Sequence, residues 1–321
     1  MPVPLLEVRN LKKYFSTPAG PLHAVDDLSF TIGQGETLGV VGESGCGKST
    51  LGRVILNLLP ATAGDVLFDG ESVIGVSREK LLALRRNMQI IFQDPFSSLD
   101  PRMSVSELIA EPLQLYKVYR TRAELTEKVE SLMETVGLAP RLYNAYPHEL
   151  DGGRRQRIGV ARALALDPRF IVCDEPVSAL DVSIQAQILN LMQDIQAEKG
   201  LTYLFITHNL SVVKHISNDI LVMYLGRMME KCSSKELFTH TLHPYSKALL
   251  SAIPNPTIDG RRERILLKGE LSSPINPKPG CRFAARCQYA GPQCFETAPP
   301  LEEVMPRHFV ACHRVREINQ L

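Results

Sequence analysis

Long hydrophobic runs are missing from this 321-residue chain. Its apolar stretches LGVVG, FIVC and ILVMYLG are strand-length, well short of the roughly 18 residues that cross a bilayer as a helix. A membrane-spanning role is therefore excluded. Charge of one sign is missing too: 36 basic residues face 35 acidic ones, leaving a net +1. No whole-molecule field draws in nucleic acid or anionic lipid, and a charged ligand must be held by a local site. The first residues, MPVPLLEVRN, lack a basic stretch, an apolar h-region and a small-residue cleavage site, so a reducing cytosol is the expected compartment. No tandem repeat is visible. Cysteine is sparse through most of the chain, with Cys46, Cys173 and Cys232 far apart, whereas the other four fall within residues 281 to 312.

What is present has globular composition. Apolar residues make up 44% and charged ones 22%, and a chain of this length buries roughly 75% of its unfolded surface. It is long enough for two globular units, or one large unit with an appendage. LSFTI alternates Leu28, Phe30 and Ile32 with Ser29 and Thr31, so the N-terminal part reads as strands and hairpins. AELTEKVESLMETVGL places Leu125, Val129, Leu132, Met133 and Val136 on one helical face closed by Gly137, as in an amphipathic helix. RFIVCDEP reads as a buried strand, the helical spacing of Ile184, Ile188, Leu191, Met192 and Ile195 follows, and LTYLFITH is the next strand. Strand, helix and strand in that order predict a parallel α/β core. From about residue 253 the texture turns to IPNPTIDGRRER and SSPINPKPG, which places a boundary between residues 231 and 260.

GESGCGKST, Gly42 to Thr50, carries the strongest chemistry. Gly42, Gly45 and Gly47 let successive backbone N–H groups, with those of Ser44, Cys46 and Thr50, form a concave phosphate nest. Lys48 reaches terminal phosphates and Ser49 offers a hydroxyl to Mg²⁺. In FIVCDEP, Asp174 ends an apolar strand and can orient a water of the Mg²⁺ shell, while Glu175 can polarise the attacking water. Three further pieces follow in a telling order: Gln93 in IIFQDP, Gly152 and Gly153 in ELDGGRRQR, and Asp181 in SALD before His208 in FITHN. Singly they read as an exposed glutamine, a helix capped by Asp151, a surface turn and a strand-end histidine.

Taken together, this order resembles the ATP-binding cassette family: phosphate loop, Q-loop, signature loop, acidic strand, D-loop and switch histidine. The resemblance covers roughly residues 5 to 253. It implies a P-loop NTPase with a RecA-like core, an antiparallel β subdomain and a helical subdomain over about residues 96 to 160. Two such cassettes pack head to tail in the family, each ATP lying between the phosphate loop of one and the signature loop of the other. By the same resemblance Phe15 stacks on adenine, with Tyr14 beside it as an alternative. Gln93 ligates Mg²⁺ and links the γ-phosphate to a transmembrane partner, His208 contacts the γ-phosphate, and Glu175 is the general base.

The signature loop departs from the family's usual LSGGQ: here it is LDGGR, with Asp151 for serine and Arg154 for glutamine. A carboxylate about 4 Å from a phosphate oxygen, at an effective dielectric near 20, is repelled by roughly 4 kcal/mol per charge pair. Either Asp151 turns away to cap its helix while Arg154 offsets its charge, or the site using this loop is impaired in an asymmetric dimer.

HPYSKALLSAIP at residues 243 to 254, a proline-rich stretch and PGCRFAARC resemble the tail of ATPase subunits from bacterial dipeptide, oligopeptide and nickel importers. That resemblance implies a cassette of residues 1 to 253 and an extension of residues 254 to 321. It also implies a homologous second ATPase as partner, two membrane permeases, an extracytoplasmic binding protein, and a peripheral location on the cytoplasmic face of the cell membrane. Cys281, Cys287, Cys294 and Cys312 lack the paired knuckles of structural zinc. Four thiolates suit a [4Fe–4S] cluster, which members of this branch carry here. Zinc, with His308 and His313 as further donors, and four packed thiols are the alternatives. The expected role is a staple whose loss loosens the tail with little effect at a distant Lys48. A cassette ATPase acting on ribosomes or nucleic acid would usually carry two cassettes or a coiled-coil insert, and an exporter ATPase would lack this tail.

Overall fold

The computed structural model describes residues 4–94, 96–253, 264–267, 269 and 273–321. Most of the proline-rich stretch after residue 253 lies outside them. Strands in chain order are β1 (Leu6–Thr17), β2 (Gly20–Ile32), β3 (Thr37–Val41), β4 (Ala63–Phe68), β5 (Glu71–Ser72), β6 (Met88–Ile91), β7 (Phe170–Asp174), β8 (Thr202–Ile206), β9 (Asp219–Tyr224), β10 (Arg227–Ser233), β11 (Glu302–Met305) and β12 (His308–Val310). The chain divides into two compact units, Met1–Gly33 with Thr37–Gly75 and Ile206–Leu321, and Gln34–Glu36 with Val76–Phe205.

In the first unit β2, β1, β4 and β5 form an antiparallel sheet in that order, with Leu6 opposite both Ile32 and Phe68. The alternation in β2 behaves as the sequence requires: Leu28, Phe30 and Ile32 are buried, Ser29 and Thr31 exposed. A period of two puts every second side chain on the core face. β3 runs parallel to β9, with Val40 opposite Leu221. β9 turns back into β10 through Leu225 and Gly226, both at positive φ, the backbone that a two-residue hairpin needs. The C-terminal strands join this framework, for β10 pairs with β12 at Glu230↔Val310 and β12 with β11 at Glu303↔Phe309. A small apolar cluster of Leu242, Val310 and Val315 packs beneath them.

The second unit holds β8, β7 and β6 as successive neighbours, with β6 and β7 parallel at Met88↔Phe170. Its helices include Val105–Leu115, Arg122–Thr135, Gly152–Leu164 and Val182–Lys199. The first two open with capping boxes, Ser104 with Glu107 and Thr121 with Glu124, so two orphan N–H groups of each helix are satisfied reciprocally. Of the face predicted there, Val129, Leu132, Met133 and Val136 are buried, while Leu125 in the first turn is only half-buried. In helix Val182–Lys199 the buried face is Ile188, Leu189, Met192 and Ile195, whereas Ile184 and Leu191 of the predicted stripe are half-buried.

Candidate functional site

The phosphate loop spans the gap between β3 and the helix Lys48–Ile55 in the first unit. Gly47 caps that helix at φ 105, and a Cβ there would lie 1.9 Å from the carbonyl oxygen of Ala24, so no other residue fits. The first turn carries no acidic residue and the last turn carries Arg53. The positive helix end is therefore left for phosphate rather than neutralised within the chain. Lys48 is buried, and its Nζ donates to the carbonyls of Gly42 at 2.8 Å and Glu43 at 3.1 Å. Cys46 is buried as well, and burial raises its thiol, which makes it a packing residue rather than a nucleophile.

The acidic pair lies in the second unit. Asp174 ends β7 and is 2% exposed, whereas Glu175 is half-buried with φ 48. A non-glycine residue held in the left-handed region costs about 1 to 3 kcal/mol and persists where the surroundings impose it. Gln93, exposed after β6, donates from Nε2 to Glu175 Oε2 at 3.0 Å, so two motifs 82 residues apart meet.

Asp151 caps the helix Gly152–Leu164. Its Oδ1 accepts from the backbone N–H of Arg154 at 2.8 Å, and its Oδ2 lies 3.3 Å from the Arg154 guanidinium. Gly153 presses on the side chain of Ile184, to which a Cβ would come within 2.7 Å. Asp181 caps the helix Val182–Lys199 through its carbonyl, which accepts from Gln185 N at 2.8 Å. His208, in the first unit, is exposed ahead of the helix Leu210–Ile216, whose N-terminus Asn209 caps.

Of the two aromatic candidates for adenine, Tyr14 is already engaged. Its hydroxyl donates to Asp26 at 2.5 Å and its ring stacks on His23 at 3.8 Å. Lys13 Nζ lies 4.8 Å from the Phe15 ring. Asp26 is 3% exposed and also accepts from Arg227 at 2.9 Å and Arg282 at 2.7 Å. Burial would raise its carboxyl, but the bonds from Tyr14 and Arg282, with the charge of Arg227, outweigh that and hold it well below the usual carboxylate range.

Cys281, Cys287, Cys294 and Cys312 line one cavity, together with His243, Phe283 and His313. Local backbone bonds shape it: Cys281 N donates to Cys294 O at 2.8 Å, and Ala284 N to Cys281 O at 3.1 Å. Burial pushes the Cys281 thiol up to about 11, and it also raises those of Cys287 and Cys312. Charge on the neighbouring thiols adds to each, so a fourfold thiolate needs a cation among the sulfurs. Among the described residues, the acidic, histidine and cysteine side chains that bring three ligand atoms within 4.8 Å of one another are Glu230, Cys232 and His308. His308 is committed to Glu230 at 2.7 Å, while His313 Nε2 lies 2.9 Å from Thr297 O. Glu230 is itself a strut, accepting from the backbone N–H groups of Leu242 and His243.

Two residues of the C-terminal tail, to which the sequence assigns no role at the nucleotide, touch the phosphate loop. Tyr245 Oη accepts from Glu43 N at 3.0 Å, and Arg286 Nη1 meets Glu43 Oε2 at 2.8 Å and Oε1 at 3.1 Å. The expectation that the tail is remote from Lys48 is thereby corrected. Arg286 precedes Cys287 directly, and it holds the residue next to Gly42. No sequence signal marks these contacts, which join positions 202 and 243 residues apart.

Comparison with known proteins agrees with these parts. The family profile described as "ABC transporter" matches residues 25–178, and "Oligopeptide/dipeptide transporter, C-terminal region" matches residues 229–294. The oligopeptide transport ATP-binding protein AppF of Bacillus subtilis is 53% identical over 319 residues, covering 96% of this chain and 97% of that protein. The oligopeptide transport ATP-binding protein OppF of Escherichia coli is 51% identical over 311 residues, covering 96% and 93%. Among solved structures, the ATP-binding cassette MJ0796 in a dimeric post-hydrolysis state with ADP and Pi superposes with a TM-score of 0.66 at 27% identity, covering 71% of this chain and 98% of that one. With this phosphate loop, this acidic strand and full-length relatives of this kind, the chain belongs to the ATP-binding cassette transporter family, as an ATPase bearing the C-terminal region of its oligopeptide/dipeptide branch.

Proposed function

We propose that this ATPase powers import of short peptides, pairing head to tail with a homologous second ATPase beneath two membrane permeases fed by an extracytoplasmic binding protein. The observation that carries the reading is the union, in one chain, of a phosphate loop and the tail type matched over residues 229–294. Lys48 and the loop N–H groups bind the ATP phosphates, with Phe15 against the adenine. Ser49, Gln93 and Asp174 serve Mg²⁺, Glu175 takes the proton of the attacking water, and His208 contacts the γ-phosphate. Asp151 to Arg154 and Asp181 face the nucleotide held by the second ATPase.

The donor set at the tail fits a [4Fe–4S] cluster held by Cys281, Cys287, Cys294 and Cys312. The four thiols line one cavity and their spacing lacks the paired knuckles of structural zinc. When bound, the cluster supplies a covalent staple for a proline-rich segment, with no electron transfer required. Co-purification tests the whole reading. Two permeases and a second ATPase should accompany the tagged chain from detergent-solubilised membranes, whereas recovery with ribosomes or nucleic acid would overturn it.

A further inference from the structure

Glu43 puts a carboxylate beside a loop that must bind polyphosphate. Left unpaired it would repel the incoming phosphates, because like charges a few ångströms apart in a half-desolvated site interact by several kcal/mol. The structure pairs the carboxylate and separately anchors the backbone of the same residue. Arg286 Nη1 contacts both carboxylate oxygens, at 2.8 and 3.1 Å, and stands 3.4 Å from Tyr224 Oη. The Glu43 N–H is fixed on Tyr245 Oη at 3.0 Å. The pair is shielded, with the Arg286 side chain 11% and the Glu43 side chain 23% exposed, so solvent screening does not dissolve it. Lys48 Nζ rests on the carbonyls of Gly42 and Glu43, and any turn of Glu43 therefore moves the lysine's own supports.

Arg286 is held in turn by the tail. It ends the short turn Ala284–Arg286, and its neighbour Cys287 lines the cysteine cavity. Phe283, on the same turn, packs edge-on against Tyr224 at 5.4 Å and tilted against Tyr245 at 5.3 Å. One cluster of Tyr224, Tyr245 and Phe283 thus supports both partners of Glu43.

We infer that Arg286 is a positioning residue for nucleotide binding: it neutralises and fixes Glu43, so that the phosphate loop presents Lys48 and its N–H groups without an opposing charge. This goes beyond the proposed transport role, since it needs the family's ATP hydrolysis alone and no metal at the cysteines.

The experiment measures ATP hydrolysis by the assembled complex against ATP concentration. Arg286→Gln should raise the KM for ATP about tenfold with kcat within about twofold, because ground-state binding is what is lost. Arg286→Lys, which keeps the charge, should raise KM less than about threefold. Adding Glu43→Gln to Arg286→Gln should restore KM to within about threefold of the parent, since the opposing carboxylate is then gone. A purely structural role for Arg286 predicts no such rescue. An unchanged KM in Arg286→Gln, or a double variant as impaired as the single one, overturns the inference. Should Arg286→Gln fail to fold, Glu43→Gln alone decides: a KM no higher than the parent's supports the inference, and a rise of several-fold contradicts it.

Discussion

Gln93 donates its side-chain amide to the carboxylate of Glu175 at 3.0 Å. A glutamine of the loop after β6 thereby rests on the residue that begins the turn after β7, and that residue keeps a left-handed backbone at φ 48. The bond gives the Q-loop a direct hold on the candidate base.

Two substitutions separate binding from chemistry. Lys48→Ala should abolish ATP binding, since it removes the buried cation of the phosphate loop. Glu175→Gln should keep ATP binding and lower turnover by about a hundredfold or more, the usual contribution of a general base, and should accumulate a closed dimer. Normal turnover by Glu175→Gln would remove it as the base of a working site.

The Asp151 carboxylate is occupied by Arg154, both through the backbone N–H and through the guanidinium. Serine caps a helix about as well as aspartate, so Asp151→Ser should leave helix stability within a few tenths of a kcal/mol. It should also change the hydrolysis rate of the assembled pair less than about threefold. A marked acceleration would show instead that the carboxylate impairs the site using this loop. Arg154→Gln, which strips Asp151 of its counter-charge, should slow turnover, and adding Asp151→Ser should recover it.

Any one of Cys281→Ser, Cys287→Ser, Cys294→Ser or Cys312→Ser should reduce the iron and sulfide of anaerobically purified protein, about four of each per chain in the parent, and bleach its brown absorption. Because Arg286 joins the same segment to Glu43, these variants should also raise the KM for ATP. Colourless parent protein with one zinc per chain would reject the cluster and keep the staple. Metal-free protein with an equally ordered tail would leave the cysteines as packing residues.

Much of this site was legible because its signals are local. Gly42 to Thr50 forms a loop whose glycines and lysine act within nine successive residues, and the Asp151 cap closes on Arg154 three positions on. The alternation in LSFTI and the strand-length FIVCD likewise became β2 and β7, each from a pattern a few residues wide. Glu43 supplies none of the chemistry its motif signals, yet its carboxylate is the loop's link to the tail. Its partners Tyr245 and Arg286 lie some two hundred residues away, and only the packing of Phe283 against Tyr224 and Tyr245 brings them in. Asp26 carries no sequence signal either, although three side chains converge on it in the fold.

That convergence has a pH signature. The folded Asp26 carboxyl is held below its ordinary value by Tyr14, Arg282 and Arg227. Its stabilisation is therefore fully present above the unfolded value of roughly 3.9 and is lost as the pH falls through the lower folded value. Asp26→Asn should destabilise the protein by about 3 kcal/mol at neutral pH, the cost of stripping one partner from a buried ion pair, and the difference should shrink below about pH 4. Thermal unfolding across that range checks it, and a difference independent of pH would assign the loss to packing instead.

The most direct measurement of the central claim is ATP hydrolysis by the purified complex in lipid, with the binding protein present and short peptides added. The account predicts hydrolysis that rises when peptide-loaded binding protein is supplied and disappears with Lys48→Ala. Hydrolysis indifferent to peptide and binding protein, and stimulated by ribosomes or nucleic acid, would contradict it.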